Sequence, residues 1–178
     1  HTEYLTSDSL ELLDLSGCEI MIISRVSPLS RLTKIKTLIL NYNPIKWMMP
    51  LISPTLEHLH ISHCTLRYVS SEMLNYLPFL THLYMSHNFR LAFKRGVSLS
   101  STSLKYLDIS FCNMNEINIE GLLNVDIVIL RGNMLRTLSS RIFYNNTKLE
   151  YLDLSSNAIA EISEHAFHGL ISLKQLNL

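Results

Sequence analysis

The sequence predicts an α/β solenoid, with a curved parallel β-sheet on its concave face and irregular or short-helical returns on its convex face. Two observations predict it. The pattern LxxLxLxx(N/C)x(L/I/M) recurs about every twenty-four residues through the whole 178-residue chain. A unit of this size cannot bury its apolar side alone, so successive copies must stack on one another. The second observation is the ninth place of each full copy, which is Asn or Cys and nothing else.

The copies begin at Leu10, Ile35, Leu56, Leu80, Leu104, Val125 and Leu149, and an eighth, Leu173-Leu176-Leu178, stops in mid-strand. Each opens with a short strand whose fourth and sixth residues point inward while the third and fifth point out, because strand side chains alternate. Leu29, Leu74, Phe143 and Phe167 stand six residues before the next copy. They are expected to fill the space between the sheet and the returning backbone. The ninth residue should turn inward and bond to backbone groups that have no ladder partner. Asn43, Asn88, Asn133 and Asn157 carry the amide for this, and Cys18, Cys64 and Cys112 take the place in the other copies. Copies two apart lie near ~10 Å by strand spacing, beyond the roughly 7 Å Cα limit of a disulfide. Three buried free thiols are therefore expected, each S–H serving as a weak donor in place of the amide. No CxxC pair suggests a disulfide framework or a zinc–cysteine site.

Copy lengths of 25, 21, 24, 24, 21, 24 and 24 residues keep one register throughout. The short second copy holds Pro44, Pro50 and Pro54, so its return should be extended. The fourth puts Arg90 where an apolar residue is expected and shifts Leu91 and Phe93 into its place. The stretch from Lys94-Arg95-Gly96 to Ser103 reads as an exposed mobile loop. Residues 1–178 form a single domain of about seven and a half repeats, expected to be a segment of a longer array without terminal caps. Formal net charge is zero, from 15 basic and 15 acidic residues, which argues against a nucleic-acid ligand. No apolar run reaches the roughly 18 residues that span a bilayer, and no signal-peptide layout opens the chain. No membrane contact is expected from this segment itself.

The stretch LEYLDLSSNAIAEISEHAFHGLISLKQLNL, residues 149–178 with Phe167 and Leu170 in place, resembles the extracellular "typical" class of the leucine-rich repeat family. Uneven copy lengths and the variants LDLSGC and LDISFC are similar to Toll-like receptor ectodomains and to insect surface proteins such as chaoptin. The resemblance implies receptor or adhesion work, including innate immunity, at an extracellular or cell-surface location. The sequon Asn145-Asn146-Thr147 falls in a return, where a glycan on Asn145 would face solvent.

Scaffolds of this kind usually bind through the concave strand face. Five of the eight histidines fall there in two adjacent copies: His58, His60 and His63 in the third, His82 and His87 in the fourth. Tyr84 stands beside His60, with Tyr42, Tyr106, Phe111 and Tyr151 in other copies. Three readings of the cluster stand open. Its rings stack as a solvated surface worth ~0.2–1 kcal/mol per cross-strand pair. Alternatively Tyr42, His58, His60, His63, His82, Tyr84, His87, Tyr106 and Phe111 form a binding patch for a protein or other macromolecule. In the third reading His58, His60 and His82 converge on a metal ion, with Glu57 or water as fourth ligand. Five imidazoles would also make the patch sensitive to pH, their mutual repulsion holding pKa values down.

Catalysis is not expected. Asp108 and Asp153 lie about 9.6 Å apart by strand spacing, at the edge of the roughly 5–9.5 Å range of paired catalytic carboxylates, and with Asp14 they read as solvated charges. Serines recur in five copies (Ser16, Ser62, Ser86, Ser110 and Ser155), which points to a structural role rather than a nucleophile. Lys94-Arg95 is too short a run for an anionic polymer or membrane. The sequence thus predicts a non-enzymatic recognition module with no cofactor. A self-associating homodimer segment and an intracellular scaffold are the alternatives.

Overall fold

The computed structural model describes residues 5–23, 28–93 and 96–178. In chain order its strands are β1 (Leu12–Asp14), β2 (Thr37–Ile39), β3 (His58–His60), β4 (Tyr68–Val69), β5 (His82–Tyr84), β6 (Ala92–Phe93) and β7 (Ser100–Ser101). There follow β8 (Tyr106–Asp108), β9 (Gly121–Leu122), β10 (Ile127–Ile129), β11 (Thr137–Leu138), β12 (Tyr151–Asp153), β13 (Glu161–Ile162) and β14 (Gln175–Asn177). Eight of them form one parallel sheet in the order β1-β2-β3-β5-β8-β10-β12-β14. Every pairing joins a fourth motif residue to the next: Leu13 to Leu38, Leu59, Leu83, Leu107, Val128, Leu152 and Leu176. A one-residue slip would turn the whole leucine set to solvent, so the repeat fixes the register.

The core is continuous along the stack. Leu59, Ile61, Leu83, Met85, Leu107, Ile109, Val128, Leu130, Leu152 and Leu154 are fully buried, and Phe143 packs behind them with its ring parallel to Phe167 at 6.3 Å. The returns close by successive three-residue steps, Ile142 N–H to Ser139, Tyr144 to Arg141 and Asn146 to Phe143, rather than by α-helix. Among the described residues the only helical element is a 3-10 turn at Pro28–Arg31. Three small parallel pairs, β4–β6, β7–β9 and β11–β13, knit neighbouring copies together away from the main sheet.

The inward amides behave as expected. Asn88 donates to the carbonyls of Ile61 (2.9 Å) and Met85 (2.8 Å) and accepts from Leu66 N–H. Asn43, Asn133 and Asn157 likewise bridge to the preceding copy. The thiols of Cys64 and Cys112 reach the carbonyls of Leu40 and Met85, each at 3.3 Å. Burial pushes both thiols up, Cys112 to about 12.

Three expectations need correction. Cys18 is exposed, not buried, because no described turn stacks on its outer side and its thiol meets only the carbonyl of Ser16. The serine-rich stretch is not all loop: Ser100–Ser101 is β7, paired with β9, and Leu99 is buried beside it. Lys94 and Arg95 lie outside the described residues. The acids are not simply solvated either. Asp14 and Asp108 each accept from the N–H and hydroxyl of the serine two residues on, and buried Asp153 accepts from Ser155 N–H. The serine hydrogen bonds hold the Asp14 carboxyl below its ordinary range. This gives the recurring serine a structural role. Arg90 is exposed while Leu91 and Phe93 are buried, as the shifted pattern requires.

Candidate functional site

Parallel in-register strands put equal motif positions side by side at about 4.8 Å, close to the thickness at which aromatic rings stack. Rings in neighbouring copies therefore build columns. At the third position His58 stacks on His82 (4.4 Å between centroids, 20° between planes), and His82 continues to Tyr106 at 5.6 Å. At the fifth, His60 lies on Tyr84 at 4.2 Å and 8°. Tyr84 and Tyr106 join the two columns at 5.0 Å.

The eighth position carries the longest column. Tyr42 stacks on His63 at 4.5 Å, His63 on His87 at 4.2 Å and His87 on Phe111 at 4.9 Å. All four sit in the left-handed region, with φ of 59°, 52°, 57° and 53°. The turn requires it, because the chain must swing inward to deliver the ninth residue to the core. Gly17, Gly132 and Ser156 take the same conformation in their copies. Each of the four N–H groups donates to the seventh carbonyl of the next copy: Tyr42 to Ser62, His63 to Ser86, His87 to Ser110 and Phe111 to Arg131. A non-glycine residue in this region is strained by about 1–3 kcal/mol, and ring stacking at roughly 0.5–1.5 kcal/mol per pair offsets part of that. The column ends on Gly132, where a Cβ would stand 2.4 Å from the Phe111 ring.

All nine expected site residues thus lie in two sets of stacked rings, one over the third and fifth positions and one over the eighth, spanning the second to fifth copies. Tyr151 is separate: Ile127 stands between it and Tyr106, and its hydroxyl accepts from the Asn177 amide at 2.9 Å. Two members were not foreseen. Phe89 packs edge-on against His87 at 5.8 Å, and Gly132 acts as the end-stop. The signal for Gly132 was present in the eighth-position series Tyr, His, His, Phe, Gly, but it needed the left-handed turn to give it meaning.

Burial holds the pKa values of His60, His63 and His82 below the ordinary imidazole range, and neighbouring imidazoles push in the same direction. Asp14 opposes the shift at His60. The Thr81 hydroxyl donates to Glu57 C=O and lies 2.9 Å from His82 Nδ1, so it accepts the proton there. That leaves Nε2 of His82 as the acceptor edge. Stacked rings present edges to solvent: imidazole nitrogens and phenol hydroxyls. The metal reading of His58, His60 and His82 fails on this geometry. Parallel rings aim their lone pairs along parallel planes instead of at one point, and no group of three suitable ligands occurs among the described residues. Asn145 is exposed in a turn, and buried Asn146 beside it anchors the backbone through the carbonyls of Ile119 and Leu122.

Models described as leucine-rich repeats match residues 124–178 and, separately, 53–69 and 100–122. Two mouse (Mus musculus) proteins are similar. Transforming growth factor beta activator LRRC32 is 31% identical over 71% of this chain and 17% of its own length. Toll-like receptor 9 is 35% identical over 46% of this chain and 8% of its own. This chain therefore spans less than a fifth of either relative. The solved complex of TLR13 with ssRNA13 aligns over 85% of this chain and 29% of that one, at 21% identity and a TM-score of 0.49.

Proposed function

Since the chain belongs to the leucine-rich repeat family, we propose that it is a non-catalytic recognition module of a receptor, binding a protein or other macromolecule through its concave face. One relative is a Toll-like receptor and the other a transforming growth factor beta activator. The observation that carries the reading is the ring wall formed by Tyr42, His58, His60, His63, His82, Tyr84, His87, Tyr106 and Phe111. Stacked rings at the third, fifth and eighth positions of neighbouring copies line up apolar bodies with polar edges along the concave side. Rings with apolar bodies and polar edges are also the side chains that dominate protein interfaces.

The proposed setting is extracellular or at the cell surface, in adhesion or innate immunity. An exposed Asn145 supports it by offering an unobstructed glycan acceptor. Occupancy of Asn145 after secretory expression, read by mass spectrometry, separates this setting from an intracellular scaffold. The function itself is tested with the immobilised chain and a panel of secreted and cell-surface proteins. A His60→Ala, Tyr84→Ala double variant should weaken capture about tenfold or more while melting stays nearly unchanged. Equal loss of binding and stability would make the wall a folding element and sink the proposal.

A further inference from the structure

A second surface lies on the flank, beyond the turns that carry the ring column. Lys46, Arg67 and Arg90 belong to three consecutive copies there. The N–H of Arg67 donates to the Lys46 carbonyl at 3.0 Å, and Ala92 N–H, two residues past Arg90, donates to the Arg67 carbonyl at 3.0 Å. All three cations line one open depression of about 350 Å³, together with Pro44, Thr65 and Phe89. No carboxylate lines it. Ion pairs among the described residues are Lys36–Glu57, Lys105–Asp126 and Lys174–Glu150, and none includes these three. Like charges on neighbouring rungs repel and work against folding, so the arrangement is one that an external anion would relieve.

One aromatic ring lies among the cations: Phe89, 58% exposed, lines the depression with them. A cation from each of three rungs, with one exposed ring among them, fits a polymer whose unit combines an anionic group with an apolar ring face. Sugar units bearing sulfate or carboxylate have that chemistry. A single-stranded nucleic acid shares part of it, but its bases call for successive stacking rings, and Phe89 is the one ring that lines this depression. We propose that this flank binds an acidic polysaccharide, its anionic groups on Lys46, Arg67 and Arg90 and a sugar face on Phe89. The site adjoins the eighth-position ring column through Phe89, which packs edge-on against His87 at 5.8 Å.

The test is calorimetric titration of the whole chain with a heparin octasaccharide at low salt, repeated with its desulfated form and with a single-stranded oligonucleotide of equal charge. Saturable binding to the sulfated form is expected, lost on desulfation. Lys46→Gln and Arg67→Glu should each weaken it about tenfold. Phe89→Ala should weaken it less, and His60→Ala, Tyr84→Ala should leave it unchanged. Lys46 is exposed, so its variant keeps the test valid if Arg67→Glu fails to fold. Unchanged affinity in folded Lys46→Gln and Arg67→Glu would overturn the proposal. Equal binding of the desulfated form, or tighter binding of the oligonucleotide, would overturn it as well.

Discussion

The third to fifth copies and the sixth to seventh share one interior and differ on their outer face. Beneath both, the fourth and sixth motif residues are fully buried, and an Asn or Cys ties each turn to its neighbour. Above the first region the outward positions hold His58, His60, His82, Tyr84 and Tyr106, stacked at 4.2–5.6 Å. Above the second they hold Ile127, Ile129, Gly132, Tyr151, Asp153 and Ser156, and no ring column continues. The difference teaches that the inner pattern fixes spacing and register for every outer residue. Stacking appears wherever rings happen to fall in adjacent copies. Recognition chemistry can therefore vary without disturbing the fold, and three changes test that separation.

The largest effect is expected inside. Asn88→Ala leaves the buried carbonyl of Ile61 and the N–H of Leu66 without these partners and the Met85 carbonyl with only the weak Cys112 thiol donor, a loss of about 3 kcal/mol by urea denaturation. The same change at Asn157, which is only partly buried, should cost less. Were the two equal, the amide ladder would owe nothing to burial.

Next comes the boundary between the regions. Gly132→Ala places a methyl 2.4 Å from the Phe111 ring at a φ of +67°, whereas Gly17→Ala, at +63°, meets nothing within 4 Å. Both bear the left-handed strain, but only the first unseats the column. Gly132→Ala should destabilise by roughly 1–2 kcal/mol more than Gly17→Ala, with altered ring-current shifts at His87. Equal destabilisation would mean that the column contributes nothing.

The smallest effect is that of pH. His60, His63 and His82 have lowered pKa values in the folded chain, so the unfolded chain binds more protons just below the ordinary value of 6.5. Stability should fall as pH drops through about 6.5 and below, until the folded histidines charge as well. The Asp14 contribution is present above 3.8 and lost at lower pH, outside that window. A His60→Gln, His82→Gln variant should show a flatter melting profile between about pH 7 and 5. An identical profile would place the acid sensitivity elsewhere.

Much of this was legible in the residues. The spacing of Leu59, Leu83 and Leu107 specifies a parallel stack, because only in-register copies bury all of them, and the alternation around them assigns His58, His60, His82 and Tyr84 to one face. Asn88 could be placed in the ladder for the same reason. The sequence could not show that Cys18 lies open, since burial depends on what stacks against it. Nor could it show that Asp14, Asp108 and Asp153 are clamped by serine, which depends on side-chain rotamers. Ring orientation also belongs to tertiary structure: parallel planes at the stacking distance follow from strand spacing, and they rule out convergence of His58, His60 and His82 on a metal. The flank cations Lys46 and Arg67 share the twelfth motif position 21 residues apart, but Arg90, 23 residues further on, stands at the eleventh, in the shifted fourth copy. Periodicity determined this protein's architecture because each copy must repeat the burial of the last. Which irregular residues meet was decided only when the copies stacked, because those contacts run between turns that the chain itself keeps far apart.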